Sequence, residues 1–173
     1  MAVLALTALI PLAGCASLSS VQLLLLAGQA VEASSHVLAP PRASATVHFG
    51  GPKPQEVCVE LNTQTQVPDL LPALQAELQQ HGVRSRLIDR QGAGGDCSVW
   101  LRYDARMDYA VPPTESGYKP YLARARLSMV NHQGRLLASS AYEQQHQHAF
   151  SRWTSTRNKL APVVQSLLLG EAS

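Results

Sequence analysis

Charge is scarce along this chain. Acidic and basic residues make up 15% of its 173 positions and nearly cancel, leaving a net charge of +2. No strong field therefore points toward nucleic acid or toward acidic ligands. The signatures of covalent catalysis are missing as well. There is no Gly-x-Ser-x-Gly elbow, no cysteine has the setting of a catalytic nucleophile, and the carboxylates show no glycosidase pairing. The stretch Gly92 to Gly95 lacks the lysine of a phosphate cradle and leads into a strand rather than a helix, so it reads as a turn. Internal repeats are absent. The chain is expected to be non-enzymatic, with no cofactor and no nucleic-acid partner.

Cysteine is scarce too, with three in all. The first closes the run Leu12-Ala13-Gly14-Cys15, directly after an apolar stretch over residues 3–12. That stretch has the length of a signal-peptide core and is too short to cross a bilayer. A competing reading is an uncleaved membrane span over residues 3–31, which Pro11, Gly14, Gly28 and the Ser-Leu-Ser-Ser segment at 17–20 interrupt. The small residues before Cys15 resemble the lipobox of bacterial lipoproteins. The resemblance implies cleavage after residue 14, a diacylglyceryl group on the Cys15 thiol and acylation of the new amino group. Two or more acyl chains suffice for stable anchoring. Ala16 stands where many lipoproteins of the inner membrane carry aspartate. The resemblance therefore implies the outer membrane, with the domain on its periplasmic face.

An unpaired thiol is a liability in an oxidising compartment. With Cys15 assigned to lipid, Cys58 and Cys97 remain as an even pair free to form a disulfide. The alternative is two unrelated, reduced thiols. Strand phase speaks against the bridge, because Cys58 alternates with Glu56 and Glu60 whereas Cys97 alternates with apolar residues. A sheet edge or a local bulge would reconcile the two.

Three sections follow. Residues 1–14 read as the signal peptide. Residues 15–54 read as the anchor, a short apolar helix (Val21, Leu24, Leu25, Gly28 and Val31 on one side) and a Pro/Gly-rich linker with one short strand near Thr46–Phe49. Residues 55–173 read as a periplasmic domain. In it, Val57–Leu61 and Val83–Asp89 are strands flanking a helix over Pro68–Gln80, with Gly82 at its C-terminus and Leu71, Leu74 and Leu78 inward. Cys97–Ala110 alternates strictly: Val99, Leu101, Tyr103, Ala105, Met107 and Tyr109 on one side, Arg102, Asp104, Arg106 and Asp108 on the other. Tyr121–Val130 repeats the pattern, with Tyr121, Ala123, Ala125, Leu127 and Met129 inward and Arg124 and Arg126 outward. Such alternation marks antiparallel strands with one buried and one wet face. A turn at Asn131–Gly134 leads to a hairpin partner, Arg135–Gln144. Thr154–Leu169 is a closing helix with Leu160, Val163, Val164, Leu167 and Leu168 as its stripe, and Pro162 marks a kink or a later start. The expected fold is α+β: one mostly antiparallel sheet with two helices packed on one face, in the order βαββββα.

The pieces Leu12–Cys15, Glu56–Glu60, Asp96–Val99 and the Tyr121–Tyr142 hairpin together resemble a family of small proteobacterial lipoproteins of unknown function. The resemblance covers about residues 50–170 and implies no activity. His146-Gln147-His148 is the one candidate for chemistry, since residues i and i+2 of a strand point the same way. A metal would need a third ligand, with Glu143 and His132 the candidates, and a polar strand end is the plainer account. Tyr142, Phe150 and Trp153 are expected to form an aromatic cluster at the sheet's edge. The sequence thus favours an outer-membrane lipoprotein anchored through Cys15 that serves an envelope protein complex as an interaction or accessory component. The second reading is a periplasmic metal- or small-ligand-binding lipoprotein using the His146/His148 region.

Overall fold

The computed structural model describes residues 40–89, 97–144 and 151–170. Six strands and two helices follow one another as β1 (Ser44–His48), β2 (Glu56–Glu60), α1 (Leu70–Gln80), β3 (Arg84–Ile88), β4 (Val99–Ala110), β5 (Lys119–Asn131), β6 (Leu136–Glu143) and α2 (Thr156–Leu169), with a 3₁₀ turn at Ser151–Trp153 before α2. They build one six-stranded sheet in the order β1-β6-β5-β4-β2-β3. The class is α+β, as the pattern implied. None of the described helices is long and apolar enough to cross a membrane.

The sheet is mixed rather than mostly antiparallel. β2 runs parallel to β3 over five register pairs and parallel to β4 over two, Cys58 with Trp100 and Val59 with Leu101. The physical reason is the helix between β2 and β3, which returns the chain so that neighbouring strands point the same way. β4, β5, β6 and β1 are antiparallel. The short strand expected near Thr46–Phe49 forms at Ser44–His48, and its bonding to β6 makes it part of the sheet rather than of a linker.

α1 ends as its glycine dictates. Gly82 takes φ +72, a conformation costly for residues with a Cβ. Its N–H donates to the Gln79 carbonyl at 2.9 Å, and the Val83 N–H donates to that of Leu78 at 2.9 Å. Val83 and Leu78 are both buried, completing the apolar contact that accompanies this cap. Ser155 caps α2, its Oγ accepting from the Asn158 N–H at 3.2 Å. The helix then runs through Pro162 without restarting, so the proline marks neither of its ends.

Both helices and one face of the sheet share a single core. Val57, Val59, Leu101, Tyr103, Leu127 and Met129 meet Leu74 and Leu78 of α1 and Leu160, Val163, Val164, Leu167 and Leu168 of α2. The α2 stripe matches the expectation residue for residue. On α1 the inward row is Leu70, Leu74 and Leu78, with Leu71 only partly buried. β5 departs from its expected phase. The register slips between Arg106 and Met107, where β5 holds one extra residue, Ala123. The bulge passes the inward place from Tyr121 to Leu122, which is 2% exposed. Tyr109, expected inward, is 63% exposed at the far end of the same hairpin.

Candidate functional site

Three groups of side chains stand out from the packing. The first is the disulfide. Cys58 and Cys97 are bonded, with Cα atoms 6.1 Å apart and a sequence separation of 39. The phase conflict disappears because Cys97 lies two residues before β4 begins, so strand alternation does not govern where it points. Cys58 faces away from the helices, between the inward Val57 and Val59, yet it is only 1% exposed. Arg86 on the neighbouring β3 places Nη2 3.9 Å from Cys58 Sγ and 3.7 Å from Cys97 Sγ. Glu56 holds that arginine by its Nε at 2.6 Å and also reaches Arg84 at 3.4 Å.

The second group is the helix-free face of β4 and β5. Register sets Asp104 opposite Arg126, Arg106 opposite Arg124, and Arg124 opposite Glu143 on β6. Arg106 and Arg126 are exposed and Arg124 is half-buried. Arg102 is engaged, its Nε 2.7 Å from Glu60 Oε2, and Glu60 is buried. This pair borders a cavity of about 480 Å³ beyond the carboxyl ends of β2 and β3, lined also by Asn62, Asp89 and Tyr103. There the Asn62 N–H donates to Tyr103 Oη at 3.1 Å, and Asn62 Nδ2 donates to the Tyr103 carbonyl at 3.1 Å.

The third group has no counterpart in the sequence reading. Lys159 on α2 is 1% exposed. Its Nζ donates to the carbonyls of Leu122 at 3.0 Å and Arg152 at 2.6 Å. It also lies 5.5 Å from the ring centre of Tyr121 and 5.6 Å from that of Tyr142, within range of attraction to both π faces. Burial, and secondarily the Arg152 guanidinium, bring this amine down to about 8. The Tyr142 hydroxyl donates to Gln144 Oε1 at 2.5 Å, and its acidity is weakened chiefly by burial and then by Tyr121, against a smaller opposing effect of Arg152. Trp153 meets Tyr121 edge-on, with centroids 5.7 Å apart. The ring contact here is thus Trp153 on Tyr121, a residue outside the expected cluster of Tyr142, Phe150 and Trp153, and Tyr142 shares only the lysine with it. The bulge at Ala123 and the 3₁₀ turn at Ser151–Trp153 supply the two carbonyls, because both free backbone acceptors from regular pairing.

Cys15, His146, His148, Phe150 and Gly92 to Gly95 lie outside the described residues. The two alternative third ligands, Glu143 and His132, lie far apart, so they do not serve one site together. His132 sits in the β5–β6 turn and Glu143 at the opposite end of β6, about 23 Å away at the usual rise of a strand. Among the described residues, no three His, Cys, Asp or Glu side chains group closely enough to hold a metal ion.

These features define a small α+β domain with a disulfide-tied mixed sheet and one open face. No family model matches the chain. No curated protein matches it either. Among solved structures it is similar to the PelC dodecamer from Paraburkholderia phytofirmans, at 12% identity and a TM-score of 0.42, over 70% of this chain and 96% of that one. A point variant of the same dodecamer, in a second space group, gives the same values. A score at that level bears on neither partner nor activity.

Proposed function

We propose that this chain is a lipid-anchored envelope protein. In this reading its folded domain acts in the periplasm as a non-enzymatic accessory to a larger protein complex. The observation that carries the reading is the Cys58–Cys97 bridge. Disulfides persist in oxidising compartments, and this one consumes two of three thiols. Cys15 is then the single cysteine left, at the end of an apolar run of signal-peptide length. A lipid on that thiol removes the last unpaired sulfur and ties the domain to the outer membrane.

The reading is tested by labelling cells with palmitate. The wild-type chain is expected to incorporate label and migrate as the cleaved form. Cys15→Ala is expected to incorporate none and to accumulate as an uncleaved precursor; normal labelling of that variant overturns the anchor. Cross-linking in native membranes, followed by mass spectrometry of retained proteins, tests the accessory role.

A further inference from the structure

The pairing of Arg106 with Arg124 is unusual for a sheet surface. Like charges directly opposite each other on one face are destabilising, whereas opposite charges are favourable. Here two guanidiniums project from adjacent strands at matched register. Among the described residues, Arg106, Arg124 and Arg126 make no ion pair and donate no side-chain hydrogen bond. Both helices pack on the other face, so nothing in the described fold covers this one. Glu143, which faces Arg124 from β6, offsets this like-charge pair only in part, and both guanidiniums stay open to a carboxylate from outside the chain.

We infer that the helix-free face of β4 and β5, centred on Arg106 and Arg124, docks an acidic segment of a protein partner. The chemistry follows from the pattern. Each guanidinium presents a planar fork that binds a carboxylate through two parallel hydrogen bonds. Asp104, Asp108 and Glu143 border the arginines on this hairpin and on β6. A uniformly anionic surface, such as a bilayer of acidic lipids, meets repulsion from those three carboxylates. A protein segment with two carboxylates at the arginines and neutral or basic groups beside them does not. Mixed charges of this kind set register and exclude wrong partners more than they add affinity.

This inference rests on the reading of the domain as a partner-binding accessory, but not on lipidation of Cys15. It is tested with the purified full-length chain in detergent, using fluorescence anisotropy at low salt of a labelled short peptide that carries two glutamates flanked by neutral and basic residues. Wild type is expected to bind, and Arg106→Gln/Arg124→Gln to bind at least tenfold more weakly, with its melting temperature unchanged or raised. Asp104→Asn is expected to tighten binding. Equal affinity of the double variant for the peptide overturns the inference. It is also overturned if that variant loses only a preference for phosphatidylglycerol over phosphatidylcholine vesicles, which assigns the face to lipid, or loses only self-association, which assigns it to a second copy. A chain that binds the peptide yet takes up no palmitate keeps this inference and loses the anchor. One that takes up palmitate, and whose double variant retains the same cross-linked partner, loses this inference and keeps the accessory reading.

Discussion

Arg157 of α2 reaches Glu77 of α1, with Nε 2.6 Å from Oε1, and the glutamate side chain is 4% exposed. Arg157 also donates through Nη2 to Gln80 Oε1 at 2.8 Å, so one guanidinium bridges two turns of the facing helix. A buried carboxylate is tolerable only while it keeps its partner. Arg157→Met is therefore expected to cost about 2–4 kcal/mol, reduced from the figure for a fully buried pair because the arginine is half exposed. Adding Glu77→Leu is expected to restore most of that loss. Urea denaturation of the two single variants and the double variant measures the coupling, and an additive cycle would show that the pair contributes nothing.

Lys159 and Tyr142 pull stability in opposite directions with pH. An amine near 8 in the folded chain and near 10.5 when unfolded means that the unfolded state binds more protons between those values. Stability is therefore expected to rise from about pH 8 toward pH 10. Tyr142 releases its proton near 10 when unfolded and holds it well above that when folded, so stability falls again past pH 10. The expected curve has a maximum near pH 10. Denaturation midpoints of wild type and Lys159→Met over pH 7 to 11 check it: the variant should lose the rise and keep the fall.

The disulfide closes a loop of 39 residues. Chain entropy alone assigns such a loop about 4 kcal/mol. Cys58→Ala/Cys97→Ala is expected to lose that order of stability while keeping the fold. In the wild-type chain, alkylation under denaturing, non-reducing conditions is expected to leave both cysteines unmodified, and to modify both once reductant is added.

Gly170 closes α2 at φ +73, and a Cβ there would stand 3.1 Å from His48 Cγ on β1. Two separate penalties coincide, one in the backbone and one against a neighbouring ring. Gly170→Ala is expected to lower stability by about 1–2 kcal/mol. His48→Ala in the same chain relieves the contact but not the backbone strain, so thermal melts of the pair should recover only part of the loss.

The sequence showed most clearly what periodicity controls. The α2 stripe, the glycine ending α1, and the outward arginines of β4 and β5 all carried signals within a few residues. Parallel pairing did not, because Glu56-Val-Cys-Val-Glu60 looks like a strand with one wet face. Val57, Cys58, Val59 and Glu60 are in fact all buried between neighbouring strands. The bulge at Ala123 has no marker of its own, and a one-residue slip exchanges the faces of everything beyond it. Lys159 was the one overlooked signal. With Val163 and Ser166 it forms an i, i+4, i+7 row, and all three are buried, but a lysine reads as a surface residue unless its whole row is considered. The arginine pair was legible as a wet face, while its like-charge register needed the alignment of two strands.

The two-pair ladder between β2 and β4 has a mechanical consequence. It divides the sheet into two plates, β3-β2 and β4-β5-β6-β1, joined along a seam far shorter than either strand stack. Cys58–Cys97 spans that seam near one end, and Glu60–Arg102 spans it near the other. The covalent bond acts as a rivet: with it intact, β2 and the start of β4 cannot part at that end of the seam. Reduced, the molecule has a fault line along which the β2-α1-β3 plate peels away first, and amide exchange in those elements should quicken before any in the β4–β5 hairpin.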